Sequence, residues 1–485
     1  MNSIDRLSPE VHEQPVVPAQ ELWFTATPAN LDELKTALQQ QRVTSTVRLE
    51  DRSGAHYHPK GSYLPGRFIT LKLQTGPNEF DPYQPEVVVT NCRTTTVGQL
   101  TAADLAGAII DGATPAEAQQ RLAAASGRPA GLEEVISMVD FEYAAGLKTA
   151  GDLIRVGSLR FARQPKDNPT NLDFPAYTLP LQEHDYPART PTMWNAAYKQ
   201  FGLDRGNAIC LGDPTFAEQV LKVLRRDSKY LGGGCGVGFK DEVIHYLDEL
   251  DSLAEAIGAV NFILKTPTGS LRGYNTDGRG YAQGLADLLA ERGQELKGQK
   301  AVILGAGGTG NAVAFALAEA GMQLVILNRT TEKARELAGR INRYCGQQLA
   351  TAGSEAEIAA AVTEAAVVIN VSTKGAAGAM EQYSALAPAT LPATAENIAQ
   401  NQQAAAAVMA KIAPETIISD VVLTAEGTPL LRSAKAKGFT TLDGLPMVIN
   451  QGVEAFWLLH GPELEPRGVT KAQVAEVMRA AAYAV

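Results

Sequence analysis

The run Gly305-Ala306-Gly307-Gly308-Thr309-Gly310 has the spacing GxGxxG, and it lies directly between the apolar segment AVIL and the segment NAVAFALAEAG, which has helical character. In that setting each glycine has a task. Gly305 makes the tight turn, Gly307 lets backbone approach a pyrophosphate, and Gly310 permits close helix–strand contact, while the helix N-terminus offers free N–H groups to the anion. The next apolar segment, QLVILN, ends about 20 residues after the loop at Asn328-Arg329-Thr330. A carboxylate there would hold the ribose 2′-hydroxyl of NAD. With no carboxylate, and a guanidinium able to pair with a 2′-phosphate, the expected cofactor is NADP; the competing reading leaves Arg329 solvated. Metal chemistry has little support. Cys92, Cys210, Cys235 and Cys345 are far apart and form no CxxC pair, which also excludes a disulfide scaffold. Among His12, His56, His58, His184, His245 and His460 the one ligand-like spacing is the pair His56 and His58, read as a loop feature.

The elements that must position these groups follow from the pattern around them. From Lys300 onward strands and helices alternate (AVILGAG, NAVAFALAEAG, QLVILN, TTEKARELAGRINRY, AVVIN, TIISDVV), as in a parallel sheet with helices on both faces. Upstream, TPTMWNAAYKQFGL and TFAEQVLKVLRRD read as helices, VIHYLDELDSLAEAI as a further amphipathic helix, and AVNFILKT with SLRGYNT as a hairpin. Residues 161–187 carry five prolines and read as an extended connection. Before it lie two strands, FITLKLQT and PEVVVTN, and two Ala-rich helical segments, LTAADLAGAII and TPAEAQQRLAAA. The expected fold class is α/β: a substrate-binding domain over residues 173–290, a Rossmann-type doubly wound dinucleotide domain over 291–442, helices at 443–485 returning to the substrate domain, and an additional α+β accessory region over 1–172. A net charge of −10 argues against nucleic acid or an anionic membrane as partner. No apolar run approaches the roughly 18 residues of a membrane span, and the first thirty residues lack the pattern of a secretory signal. A cytoplasmic location is the expectation.

Outward from the glycine loop the sequence resembles the shikimate/quinate dehydrogenase family. The resemblance rests on Val243 through Asn261, Gly273-Tyr-Asn-Thr-Asp-Gly278, the glycine loop with Asn328-Arg329-Thr330, Val368-Ile-Asn-Val-Ser372-Thr-Lys-Gly375, and Asp443-Gly-Leu-Pro-Met-Val-Ile-Asn-Gln451-Gly. These collinear motifs run from about Thr190 to Gly461 and leave the first ~170 residues outside. The resemblance implies a substrate domain followed by an NADP domain, and reversible hydride transfer between NADP and an alcohol carbon of a hydroxylated cyclohexene carboxylate. Lys240 and Asp277 match the family's proton-transferring pair. The chemistry needs such a pair, because oxidising an alcohol removes the hydroxyl proton as hydride leaves. Thr190, Asn195, Asn261 and Gln451 match substrate-contacting positions; Gly305, Gly307, Gly308, Gly310, Asn328, Arg329, Thr330 and Ser372 match the cofactor side. Read from the residues alone, Lys240 would be a surface lysine, Asp277 a turn residue, Asn261 a turn amide and Gln451 a helix-capping amide.

The departures from the family pattern gather at the substrate side. The usual Ser-x-Ser-Pro becomes Ala188-Arg189-Thr190-Pro191, Trp194 replaces a His, the VTIPHK strand becomes Cys235-Gly-Val-Gly-Phe-Lys240, and Leu423 stands where Tyr is common. Loss of hydroxyl partners disfavours a substrate whose oxygens would be desolvated without replacement. The expected substrate is therefore a carboxylic acid related to shikimate but bulkier or less polar, with Arg189 as a carboxylate partner or, alternatively, a solvated side chain. Two rival readings stay open: the same fold acting on an amino- or pterin-type substrate, and a metabolite sensor without turnover, against which the retention of Lys240 and Asp277 speaks. Family members occur as monomers and dimers, and a homodimer is carried as the expectation.

Overall fold

A computed structural model of the chain describes residues 21–25, 31–49, 63–76, 79–108, 114–126 and 129–484. His12, His56 and His58 lie outside these residues. The chain divides into two compact units, residues 1–160 with 215–227, and residues 161–214 with 228–485. The helix Ala217–Arg226, whose sequence falls within the range expected for the substrate domain, thus belongs with the first unit.

The first unit is built on one sheet whose spatial order is Glu21–Thr25, Phe68–Gly76, Glu86–Thr96, Val135–Tyr143 and Ser45–Leu49, with Glu79–Phe80 pairing on the second of these. Side chains alternate across a strand, and the strand Val135–Tyr143 uses both faces. Val139, Phe141 and Tyr143 join one core with Leu34 and Leu38 of the helix Leu31–Gln39. Ile136 and Met138 join another with Ala118 and Leu122 of the helix Pro115–Ser126. The segment LTAADLAGAII, expected as helix, runs as turns through its described part. Asp104 accepts hydrogen bonds from the N–H and hydroxyl of Thr101, a local side-chain bond that competes with helix.

The second unit holds a mixed sheet and a parallel one. The mixed sheet runs Gly206–Asn207, Tyr177–Thr178, Tyr230–Gly234, Phe262–Lys265, Leu271–Tyr274, Glu249–Leu250. The amphipathic stretch 243–257 is correspondingly not one helix. It is a turn of 3-10 helix, the edge strand Glu249–Leu250, and a helix Ser252–Ile257 that Asp251 caps by accepting from the Leu253 N–H. The parallel sheet is ordered Ala350–Ser354, Gln323–Asn328, Lys300–Leu304, Val367–Asn370, Ile417–Asp420, Thr441–Leu442. Counted along the chain this is 3-2-1-4-5-6, the doubly wound dinucleotide order, whose crevice opens between the first and fourth strands.

Three helices tie the two sheets together. The helix Asp277–Ala290 crosses the helix Gly308–Glu319 at Gly278 and the helix Leu445–Leu464 at Gly280. The C-terminal helix Lys471–Tyr483 then lies on Thr190–Gln200, with Val474 and Met478 in a core shared with Met193, Tyr198 and Phe456.

Within that core runs a polar chain. Arg205 Nη1 lies 2.6 Å from His460 Nδ1, His460 Nε2 lies 3.1 Å from the Tyr198 hydroxyl, and that hydroxyl lies 3.1 Å from Thr178 Oγ1, which also accepts from Asn207 Nδ2 at 2.7 Å. Arginine can only donate, so Nδ1 accepts and Nε2 carries the hydrogen. His460 is therefore neutral; burial, with Arg205 alongside, pushes its pKa from 6.5 down to about 3. In the unfolded chain it takes up a proton near pH ~6.5, whereas in the fold it does so only near pH 3, so stability is lost as pH falls through that window, by up to ~1.4 kcal/mol per unit. Urea unfolding followed from pH 7 to pH 4 is expected to show this fall. The His460→Gln variant should be less stable at pH 7 but flatter with pH, and an unchanged slope would contradict the assignment.

Candidate active site

Lys240 sits on a short helix, Phe239–Glu242, entered through Gly238 at φ +89°, a left-handed conformation that suits glycine. Its Nζ reaches Asp277 Oδ2 at 2.5 Å. Asp277 is the first residue of its helix, held there by Asn275, whose Oδ1 accepts from the Asp277 N–H at 3.2 Å. The second carboxylate oxygen, Oδ1, accepts from Asn261 Nδ2 at 2.9 Å. The same amide nitrogen lies 3.3 Å from Gln451 Oε1, and Asn261 Oδ1 accepts from the Thr276 N–H at 2.7 Å. Six residues spread over more than two hundred positions thus form one hydrogen-bonded group.

The Asp277 carboxylate is nearly enclosed, whereas the Lys240 side chain keeps 33% of its surface exposed, towards the cavity beside it. Burial by itself works to lower the pKa of Lys240, but the charge of Asp277 and the hydrogen bond to it outweigh that cost, and the net direction is upward. At neutral pH Lys240 is therefore an ammonium, a proton donor facing open volume. Cys235, on the same wall, is no nucleophile, because burial pushes its thiol up to about 12.

The cavity has a volume of about 360 Å³, and Thr190, Asn261 and Gln451 line it with the Lys240–Asp277 pair. Arg189 also lines it, yet its guanidinium donates to the Ala482 carbonyl in the last helix. That bond ties the C-terminal helix to the cavity rim on which Arg189 stands. Asn195 is not on the lining. Its amide makes a two-way bond with the backbone of Asn207, at 3.0 and 2.8 Å, and so anchors the edge strand Gly206–Asn207. Two polar lining residues were not anticipated. Gln182 is 4% exposed with an unpartnered Oε1. Tyr186, whose phenol burial pushes up in pKa, has its hydroxyl against Gly236. Both lie in the proline-rich stretch read as a connection, where neither spacing nor periodicity marks them. Leu423 and Met447 complete an apolar side.

The second part of the site is the crevice of the parallel sheet. Gly305 has φ +126°, and a Cβ there would stand 3.0 Å from the Ser372 N–H nitrogen, so the loops after the first and fourth strands nearly touch. Gly310 packs against the Gly305 carbonyl and Val371, whereas a Cβ on Gly307 or Gly308 would meet no protein atom within 4 Å. Glycine is thus needed for the fold at Gly305 and Gly310, while Gly307 and Gly308 leave an open cradle at a helix N-terminus, the shape and polarity a pyrophosphate requires. Ser372 is held by its N–H and hydroxyl bonds to Asn370 Oδ1, and Asn370 in turn donates to Asp420. Asp420 is raised to about 6 by burial, against its bonds from Thr428, Asn370 and Val422. At the end of the second strand Asn328 donates to the Thr330 carbonyl, Arg329 is exposed, and no carboxylate pairs with Arg329 among the described residues. The donor set fits a 2′-phosphorylated dinucleotide.

Comparison with known proteins agrees with this arrangement. Residues 186–263 match the sequence model of the shikimate dehydrogenase substrate binding domain, and residues 287–384 match that of shikimate / quinate 5-dehydrogenase. The NADP(+) shikimate dehydrogenase of Halothermothrix orenii is 33% identical over 288 residues, covering 58% of this chain and 91% of that protein. The corresponding protein of Moorella thermoacetica is 35% identical over 286 residues, covering 56% and 84%. Among solved structures, shikimate 5-dehydrogenase of Listeria monocytogenes in complex with shikimate and NAD superimposes with a TM-score of 0.50 and 26% identity, over 59% of this chain and 92% of that one. A shikimate dehydrogenase in complex with NADP+ does so with a TM-score of 0.50 and 25% identity, over 65% and 98%.

Proposed function

Because the chain belongs to the shikimate dehydrogenase family, we propose that it is an NADP-dependent oxidoreductase that interconverts a shikimate-like cyclic hydroxy acid and its keto acid. The observation that carries this reading is the 2.5 Å contact of Lys240 with Asp277 at the wall of a cavity shared with Asn261 and Gln451.

NADP, when bound, supplies or accepts the hydride. Gly305, Gly307, Gly308, Gly310, Asn328, Arg329, Thr330 and Ser372 are the residues that would hold it. In the reducing direction the Lys240 ammonium gives its proton to the carbonyl oxygen as the carbon gains hydride. Asp277 keeps the ammonium aimed and balances its charge, while Asn261 fixes the carboxylate's other oxygen. In the oxidising direction the neutral amine takes the hydroxyl proton. Thr190 and Gln451 orient the ring substrate. A bulkier or less polar acid than shikimate is the second reading, supported by the Arg189 bond to Ala482 and by Leu423 and Met447 on the wall.

NADPH formation with shikimate, quinate and a panel of ring hydroxy acids tests the reading. Turnover of at least one of them with NADP is expected, and no turnover of any would overturn it. A best rate with shikimate itself, equal to that of ordinary family members, would sink the second reading. The same assay reads the cofactor choice. The Arg329→Asp variant should lose about 10- to 100-fold in kcat/KM for NADP, the worth of hydrogen bonds to a charged group, with little loss for NAD. Equal losses for both cofactors would exclude Arg329 as the discriminating residue.

A further inference from the structure

The first unit contains a second hollow, of about 360 Å³, that shares no lining residue with the cavity described above. One wall is a face of the helix Ala217–Arg226. Gln219, Lys222, Val223 and Arg226 stand at i, i+3, i+4 and i+7 and all line the hollow. The opposite side is aromatic, with Phe68 and Tyr143 from the sheet and Tyr83 from the connection between the strands Glu79–Phe80 and Glu86–Thr96.

Two polar atoms on this lining have no partner. The Tyr143 hydroxyl belongs to a residue only 7% exposed, and Gln219 Oε1 is buried while its Nε2 donates to Glu86 at 3.0 Å. A buried hydroxyl or carbonyl without a hydrogen bond costs about 1–3 kcal/mol, and two such atoms converging on one volume mark a place where a ligand supplies the missing bonds. The chemistry of the lining defines that ligand. Gln219 Oε1 and the Glu86 carboxylate both accept, so the group that meets them must donate. Two turns further along the same face, about 10 Å away, Arg226 presents a guanidinium with no ion pair among the described residues, whereas Lys222 is paired with Glu218 at 2.7 Å. Arg226, exposed on this lining, can receive an anion. Between these poles lie Val223 and the aromatic wall.

We propose that this hollow binds a small aromatic ω-amino acid whose charged groups stand at opposite ends of its ring, with the ammonium at Gln219 and Glu86, the carboxylate at Arg226, and the ring between them against Phe68 and Tyr83. The site is separate from the hydride-transfer chemistry, so its test does not depend on turnover.

The test is calorimetric titration of the full chain with 4-(aminomethyl)benzoate as probe, beside benzylamine, which lacks the carboxylate, and 4-methylbenzoate, which lacks the ammonium. The probe should bind saturably and at least tenfold more tightly than either control, and Gln219→Leu and Arg226→Ala should each weaken it at least tenfold. Tyr143→Phe guards against a folding artefact. Removing an unpartnered hydroxyl should leave the ligand-free protein as stable as before or more so, while binding of the probe weakens several-fold. Absence of saturable binding, a control that binds as tightly, or wild-type affinity in the Gln219 and Arg226 variants would overturn the proposal. So would a Tyr143→Phe protein less stable than wild type, because the hydroxyl would then have a partner within the fold.

Discussion

Lys240→Ala is expected to lower turnover by about 10²- to 10⁴-fold, the usual contribution of a positioned acid or base, while leaving NADP affinity in a direct titration within about twofold. Without the ammonium, the oxygen of a bound keto acid has no proton donor at the wall where Asp277, Asn261 and Gln451 meet. The cofactor crevice lies on the parallel sheet, and the hydrogen bonds that hold Ser372, Asn370 and Asn328 do not involve Lys240. A pH profile separates this role from mere packing. Asp277 holds the Lys240 pKa above its ordinary 10.5, so the oxidising direction, which needs the neutral amine, should speed up about tenfold per pH unit through neutral and mildly alkaline pH. The reducing direction, which needs the ammonium, should stay flat there. Parallel profiles for the two directions in wild type, or a Lys240→Ala enzyme with unchanged kcat, would remove Lys240 from the proton transfer.

Gly278→Ala is expected to be among the most damaging single-methyl changes in the second unit. The added Cβ would stand 2.0 Å from the Ala312 carbonyl oxygen, 2.6 Å from its carbon and 2.9 Å from the Ala316 Cβ. The obstacle is mainly backbone, so the two helices must separate. Overpacking a close-fitted core costs about 1–3 kcal/mol and more where the neighbour cannot shift, and thermal unfolding should register the upper part of that range. Catalysis should suffer beyond stability. Asp277 precedes Gly278 on the same helix, and a displacement of about 1 Å at reacting groups can cost ~10²-fold. The measurement is the unfolding temperature together with turnover of the fraction that remains folded. Gly307→Ala is the control, because its Cβ meets no protein atom within 4 Å. That variant should keep its stability and lose NADP affinity, and a destabilised Gly307→Ala with normal NADP binding would show that the cradle has been misread.

Much of the dinucleotide half was legible before any coordinates. A strand, a glycine loop and a helix in immediate succession leave few alternatives, since each of Gly305, Gly307 and Gly310 answers a local requirement of backbone angle or approach. Asn328-Arg329-Thr330 is read from the same local frame, at the end of the next strand. The substrate half was less open. That Lys240 meets Asp277 came from resemblance, because nothing in a spacing of 37 residues says that two side chains touch. Asn195 shows the converse hazard, since a matching residue type turned out to bond Asn207 backbone instead of lining the cavity. Gln182 and Tyr186 were invisible among prolines, which report an extended chain but not the direction in which its side chains face.

By itself, then, the sequence determined the class of fold, the strand–glycine loop–helix unit and the absence of a carboxylate at the end of the next strand, because these depend on periods of two and 3.6 and on turn chemistry acting over a few positions. The tertiary structure alone decided the rest. Arg189 is committed to Ala482, nearly three hundred residues away, and Gln219 and Arg226 face a hollow walled by strands from far earlier in the chain. Asp277 is brought to Lys240 and Gln451 by helix crossings that Gly278 and Gly280 make close enough. Such distances are set by how closely packed backbones can approach, a property of pairs of elements that no single stretch of sequence contains.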